Sequence, residues 1–188
     1  MTIKHWLGWI LRPRHSYIRL REMRWIKTAG PVRDDLPVDN LPKLELVLAE
    51  TEDQLKEVVG IYKRCPSALN IPPRSMAKLK EHIAMNKEFY LVRNEQGENV
   101  AAIGWVVDQD MAAYLAAEYK FRRGGTGLAT KIALLDLKRS QGVKRAYGQI
   151  LRKNTRYLST NLSLGYKIDE EQSTEEYYVI YKDLNPPE

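Results

Sequence analysis

With 188 residues, 44% of them apolar, the chain can bury one substantial core, and its length suits a single domain with a short appendage. It has no internal repeat and no compositionally biased stretch, which excludes solenoids and disordered polymers, and its single Cys65 excludes an internal disulfide and a cysteine metal cluster. The net charge of +6 is unevenly spread: residues 1–33 carry eight Lys or Arg against Glu22 alone, a net +7, which leaves about −1 for the remainder.

The basic segment interleaves Arg19, Arg21 and Arg24 with Tyr17 and Trp25, and Trp6 and Trp9 precede them. This pattern suits an arm that meets an anionic partner, either nucleic acid or a membrane surface. An arm that covers its own sheet or a second copy, as in a homodimer, would bury the same tryptophans. The apolar run from Trp6 to Leu11 is too short to span a bilayer and runs straight into Arg12, Pro13 and Arg14. A transmembrane helix and a cleaved signal peptide are therefore not expected, and a reducing, cytoplasmic setting is. Three prolines and three aspartates between Pro31 and Pro42 place the domain boundary there: an arm and linker over 1–42, a catalytic domain over 43–188.

From Lys43 the pattern becomes regular. Leu44, Leu46 and Leu48 alternate as in a strand, Thr51 with Gln54 forms a capping box, and a helix runs to about Arg64. Ser75 caps a second helix, ending near Asn86, on which Met76, Leu79 and Ile83 recur at helical spacing with His82 beside them. Three strands follow, over Glu88–Arg93, Asn99–Val107 and Met111–Tyr119. A third helix carries Leu128, Ala129, Ile132, Leu135 and Leu137 as its apolar marks and stops at Gly142. Val143–Leu151 is a further strand, Asn154 caps a fourth helix ending at Gly165, and strands over Tyr166–Ile168 and Glu176–Lys182 close the chain. This order predicts an α/β protein, a mixed sheet flanked by about four helices, with a parallel, right-handed crossover after Tyr119.

Between the strand ending at Tyr119 and the third helix lies Arg122-Arg123-Gly124-Gly125-Thr126-Gly127. Glycines there allow consecutive N–H groups to turn toward one point, and the helix that follows adds partial positive charge, so the turn is an anion cradle that both arginines supplement. Gly-Lys-Ser/Thr is absent, and so is the three-glycine dinucleotide spacing.

Arg122, Gly125 and Gly127 resemble the R/Q-x-x-G-x-G/A signature of the GNAT N-acetyltransferase superfamily, with Phe121 where that family often has an aromatic residue. Asn154, separated by ten residues from Gly165-Tyr166, is similar to the Asn and Gly-Phe pair of the family's fourth helix. The element order from Lys43 to Leu184 also resembles the GNAT fold. The resemblance implies an acyltransferase that passes the acyl group of acetyl-CoA to an amine by direct attack on the thioester, without metal. It implies that backbone N–H groups of Gly124, Gly125, Thr126, Gly127 and Leu128 hold the CoA pyrophosphate beside Arg122 and Arg123. Leu115, Ala116 and Ala117 would pair with the pantetheine arm, Asn154 would contact it, and two strands would splay around the thioester.

Within that chemistry Glu118 is the first candidate for general base. The family often carries an acidic Tyr four residues before the Gly of Gly-Phe; here that position is Asn161, and Tyr157 lies one helical turn earlier. Asn161 as a hydrogen-bond donor to sulfur and Tyr157 as a substitute acid are the candidates for assisting the leaving thiolate. Asp108, Asp110 and His82 are expected in turns and packing. Two other readings stand beside this one: a catalytically weak GNAT-like binding module that uses the basic arm, and an acyltransferase drawing on longer acyl-CoA or acyl carrier protein.

Overall fold

The structure, a computed structural model, describes residues 31, 32, 34, 40–65, 72–121 and 124–184. Its elements are β1 (Glu45–Leu48), α1 (Glu52–Arg64), α2 (Met76–Ala84), β2 (Lys87–Arg93), β3 (Asn99–Val106), β4 (Met111–Ala117), α3 (Thr126–Ser140), β5 (Arg145–Leu151), α4 (Thr155–Ser163), β6 (Lys167–Asp169) and β7 (Tyr177–Asp183). The mixed sheet with four helices that the sequence predicts is present. The basic arm, apart from Pro31 and Val32, lies outside the described residues, as do Arg122 and Arg123.

Three of the four helices start where a local hydrogen bond compels them to. Thr51 accepts from the Gln54 N–H at 3.3 Å while Gln54 Oε1 accepts from the Thr51 N–H at 2.9 Å, which completes the capping box. Ser75 accepts from Lys78 N–H at 3.2 Å and Asn154 from Tyr157 N–H at 3.3 Å. The fourth, α3, starts without a side-chain cap, on Gly125 in the left-handed conformation (φ 76°).

The seven strands form one sheet in the order β1-β2-β3-β4-β5-β7-β6, antiparallel throughout except between β4 and β5. The period of two divides its residues between two cores. Phe89 and Leu91 of β2 join α1 and α2 on one face; Tyr90 and Val92 join α3 and α4 on the other. Covering on both faces explains why β2 and β3 read as near-continuous apolar runs.

Two departures from regularity shape the middle of the sheet. Across β3 and β4, Ala102 pairs with Ala116 but Gly104 pairs with Ala113, so β4 carries one extra residue, and Tyr114 takes φ 55° within that bulge. A Cβ on Gly104 would come within 3.2 Å of both Phe89 and Tyr114, so glycine there leaves room for the bulged ring. The parallel pair of β4 and β5 is held at Met111↔Tyr147, with the Tyr147 N–H donating to the Asp110 carbonyl at 2.8 Å. Beyond that point β5 continues its pairing with β7 alone, and no further residue of β4 pairs with it.

Strand β4 ends at Ala117 rather than Tyr119, because a 3-10 turn over Tyr119–Phe121 ends the extended backbone, and α2 stops two residues short of the expected Asn86. The larger correction concerns α3. Of the five apolar marks, Ala129 and Leu135 are buried and Leu128, Ile132 and Leu137 only partly so, whereas Thr130, Lys131, Leu134 and Lys138 also lie inside. The buried stripe extends past these marks because polar partners on other elements receive the two lysines.

Candidate active site

The turn ahead of α3 is built from backbone. Gly124 is exposed, its N–H donating to the Phe121 carbonyl at 3.3 Å, and the Thr126 hydroxyl donates to the same carbonyl at 2.8 Å. The first bond into the helix runs from Ala129 N–H to the Gly125 carbonyl at 2.9 Å, so the N–H groups of Thr126, Gly127 and Leu128 precede it and are not used by the helix. Together with the helix dipole they place partial positive charge at the amino end of a 15-residue helix. Two contacts fasten the turn to its surroundings. A Cβ on Gly127 would stand 3.8 Å from Leu115 of β4, and one on Gly125 would stand 2.7 Å from Leu41, just ahead of β1.

Leu115, Ala116 and Ala117 follow the β4 bulge. Ala116 and Ala117 pair with β3 through Ala102 and Ala101, and the Ala117 carbonyl accepts the buried Cys65 thiol at 3.3 Å. Glu118 comes next, its N–H continuing the ladder to the Val100 carbonyl at 2.9 Å. Its carboxylate is four-fifths covered and binds Arg64 at 2.7 Å through Oε1; the same guanidinium binds Glu57 at 2.7 Å. Arg64 is the last residue of α1, so the end of one helix orients the strand-end carboxylate.

Asn154 caps α4 with its side-chain oxygen. Tyr157 is half-buried, and burial pushes its phenol upward, opposed by a hydrogen bond with Asn161. Asn161 is fully buried; its amide nitrogen donates to the Tyr157 carbonyl at 2.6 Å and its oxygen accepts from Lys131 of α3. Burial, then the charge of Lys182, lowers the Lys131 ammonium to about 7. Sequence reasoning passed over Lys131, because a lysine between apolar residues of a helix ordinarily reads as its solvated side.

The face of the sheet under α1 and α2 is aromatic. Phe89 stacks on Tyr114 at 6.1 Å, His82 approaches Tyr114 at 5.4 Å, and Tyr62 meets Phe89 edge-on at 6.3 Å. Burial and the neighbouring Lys87 lower the His82 imidazole, which keeps it in the packing role expected of it. Asp108 and Asp110 are turn residues: Asp108 accepts from Asn86 at 2.5 Å, and Asp110 holds φ 45°. Arg122 and Arg123 are the candidate site residues outside the described region.

The described domain superposes on a set of solved structures. The spermidine/spermine N-acetyltransferase of Vibrio cholerae superposes with a TM-score of 0.59 at 12% identity, over 75% of this chain and 94% of that one. The ribosomal-protein-S18-alanine N-acetyltransferase of Escherichia coli gives 0.59 at 15% identity, over 78% and 97%. An acetyltransferase of the GNAT family from Staphylococcus aureus gives 0.52 at 14% identity, over 76% and all of that chain. The chain has the GNAT fold. No family model and no curated protein matches its sequence. The GNAT fold here spans the described domain, and no helix among the described residues is long and apolar enough to cross a membrane.

Proposed function

We propose that the chain is an N-acyltransferase that passes the acyl group of acetyl-CoA to an amine. The observation that carries this reading is the uncapped start of α3, whose bare N–H groups open beside the parting of β4 and β5. Gly124 to Leu128, with Arg122 and Arg123, hold the pyrophosphate of the donor. The strand segment Leu115 to Ala117 and the Asn154 amide receive its pantetheine arm.

In the reaction the amine nitrogen bonds to the thioester carbon, the C–S bond breaks, sulfur keeps the electron pair, and the nitrogen gives up a proton. Positioning supplies most of the acceleration. Deprotonating a lysine-like amine at pH 7 costs about 4.6 kcal/mol, against about 1.4 kcal/mol for an α-amino group. Glu118, held in place by Arg64, accepts that proton directly or through water, and Tyr157 assists the leaving thiolate with Asn161 behind it. Polyamines and peptide amino termini are the first acceptors to try, since the Vibrio and Escherichia neighbours are named for them. A cytoplasmic setting supplies the donor. A spermidine N-acetyltransferase among the neighbours is a dodecamer, which supports assembly of this chain into an oligomer.

Calorimetry with acetyl-CoA and thiol release over a panel of amines test the reading. Binding is expected with release, and Glu118→Gln should slow release about a hundredfold without changing donor affinity. Binding without release from any amine would favour the second reading, a GNAT-like binding module, which draws support from the absence of a phenol at position 161 and the engagement of Asn161 with Lys131.

A further inference from the structure

Lys131 lies in the second turn of α3, 2% exposed, on a site built from three other parts of the chain. From α4, Asn161 accepts its ammonium and the Tyr157 ring centre lies 5.4 Å away. From the segment after α4, the Tyr166 ring centre lies 4.2 Å away. From β7, Lys182 faces it as a second cation, its own ammonium donated to the Leu164 carbonyl. No carboxylate is among these described neighbours. A cation placed against two aromatic faces and one amide is stabilised by quadrupoles and a dipole, and not by an opposite charge.

We infer that Lys131 is a positioning residue for acyl transfer: it ties the α4 side chains Tyr157 and Asn161 to the helix that opens at the phosphate turn, and places positive charge beneath them as the thiolate departs. This rests on the acyl-transfer reading. As the C–S bond breaks, sulfur keeps the electron pair and takes the Tyr157 phenolic proton, and solvent later returns a proton to the phenolate. The ammonium near the Tyr157 ring stabilises that phenolate and offsets the burial that weakens the phenol as an acid. Lys131 loses its charge near pH 7, so this assistance is present below that pH and fades above it, opposite to the rise expected from deprotonating the attacking amine.

Two measurements on the full-length protein test the inference. The first follows the Lys131 side-chain carbon shifts of the wild type by NMR from pH 5 to 11 and requires no variant; a midpoint near 7 is expected, and one near the ordinary 10.5 overturns the inference while leaving acyl transfer standing. The second compares single-turnover thiol release from acetyl-CoA, with the fastest amine of the panel, in wild type and Lys131→Gln, which keeps a donor for Asn161 without the charge. The wild type should be about tenfold faster at pH 6 and within about twofold at pH 8.5. A ratio that does not change with pH marks Lys131 as purely structural and overturns the inference. A near-7 midpoint in a protein that releases thiol to no amine overturns both the inference and the reading beneath it.

Discussion

Lys131 and Lys138 stand two turns apart on α3, both 2% exposed, yet they are held in opposite ways. Lys138 reaches Glu88 at 2.5 Å, the Tyr90 hydroxyl at 3.0 Å and Gln141 at 2.9 Å, and lies 5.2 Å from the Trp105 ring centre. Lys131 has an amide, two rings and a nearby cation. The same residue type on the same face of one helix is thus an ion pair at one position and a cation held without a carboxylate at the other. What separates them is a carboxylate at the far end of the side chain. Glu88, at the start of β2, is partly open to water, so the first pair retains some solvation, whereas Asn161 and Tyr166 around the second lysine are buried.

Breaking the paired site should have the largest effect. Lys138→Met leaves Glu88 without its cation and Tyr90 without its donor, and because Glu88 keeps partial exposure the cost should fall near about 2–3 kcal/mol, read as a drop in Tm. Glu88→Gln should cost less, about 1–2 kcal/mol by denaturant titration, since Tyr90 and Gln141 still receive the ammonium.

The amino end of the same helix sets binding apart from folding. Gly125→Asp puts a side chain at φ 76° against Leu41 and a negative charge on the cradle. Acetyl-CoA affinity should fall at least about tenfold, or 1.4 kcal/mol, by calorimetry, with a stability loss of about 1 kcal/mol. Unchanged affinity would remove the turn from the site.

Converting one lysine site into the other sharpens the contrast with the smallest stability change. Asn161→Asp gives Lys131 the anion it lacks, and its titration should move from about 7 toward the ordinary range near 10.5. In the wild type the folded value lies below the unfolded one, so the unfolded chain binds more protons between those values and stability should rise with pH from about 7 to 10.5. In the variant that rise should largely vanish, with stability at pH 7 within about 1 kcal/mol of wild type, measured as Tm against pH.

Features that depend only on neighbours along the chain can be read from the residues themselves. Thr51, Ser75 and Asn154 cap helices with donors three residues ahead, strands alternate with period two, and a glycine pair before an apolar helix makes a turn that only the local backbone decides. The element order and the glycine turn ahead of α3 were legible for that reason. Tertiary structure alone decided which face of α3 is buried, because Lys131 and Lys138 enter the core only when Asn161, 30 residues away, and Glu88, 50 away, arrive to receive them. It also decided the Arg64 partner of Glu118, 54 residues earlier, and the extra residue that bulges β4 at Tyr114. Burying a charged group costs several kcal/mol without a partner, and the partner's position is a property of the packed sheet and helices, not of any local pattern.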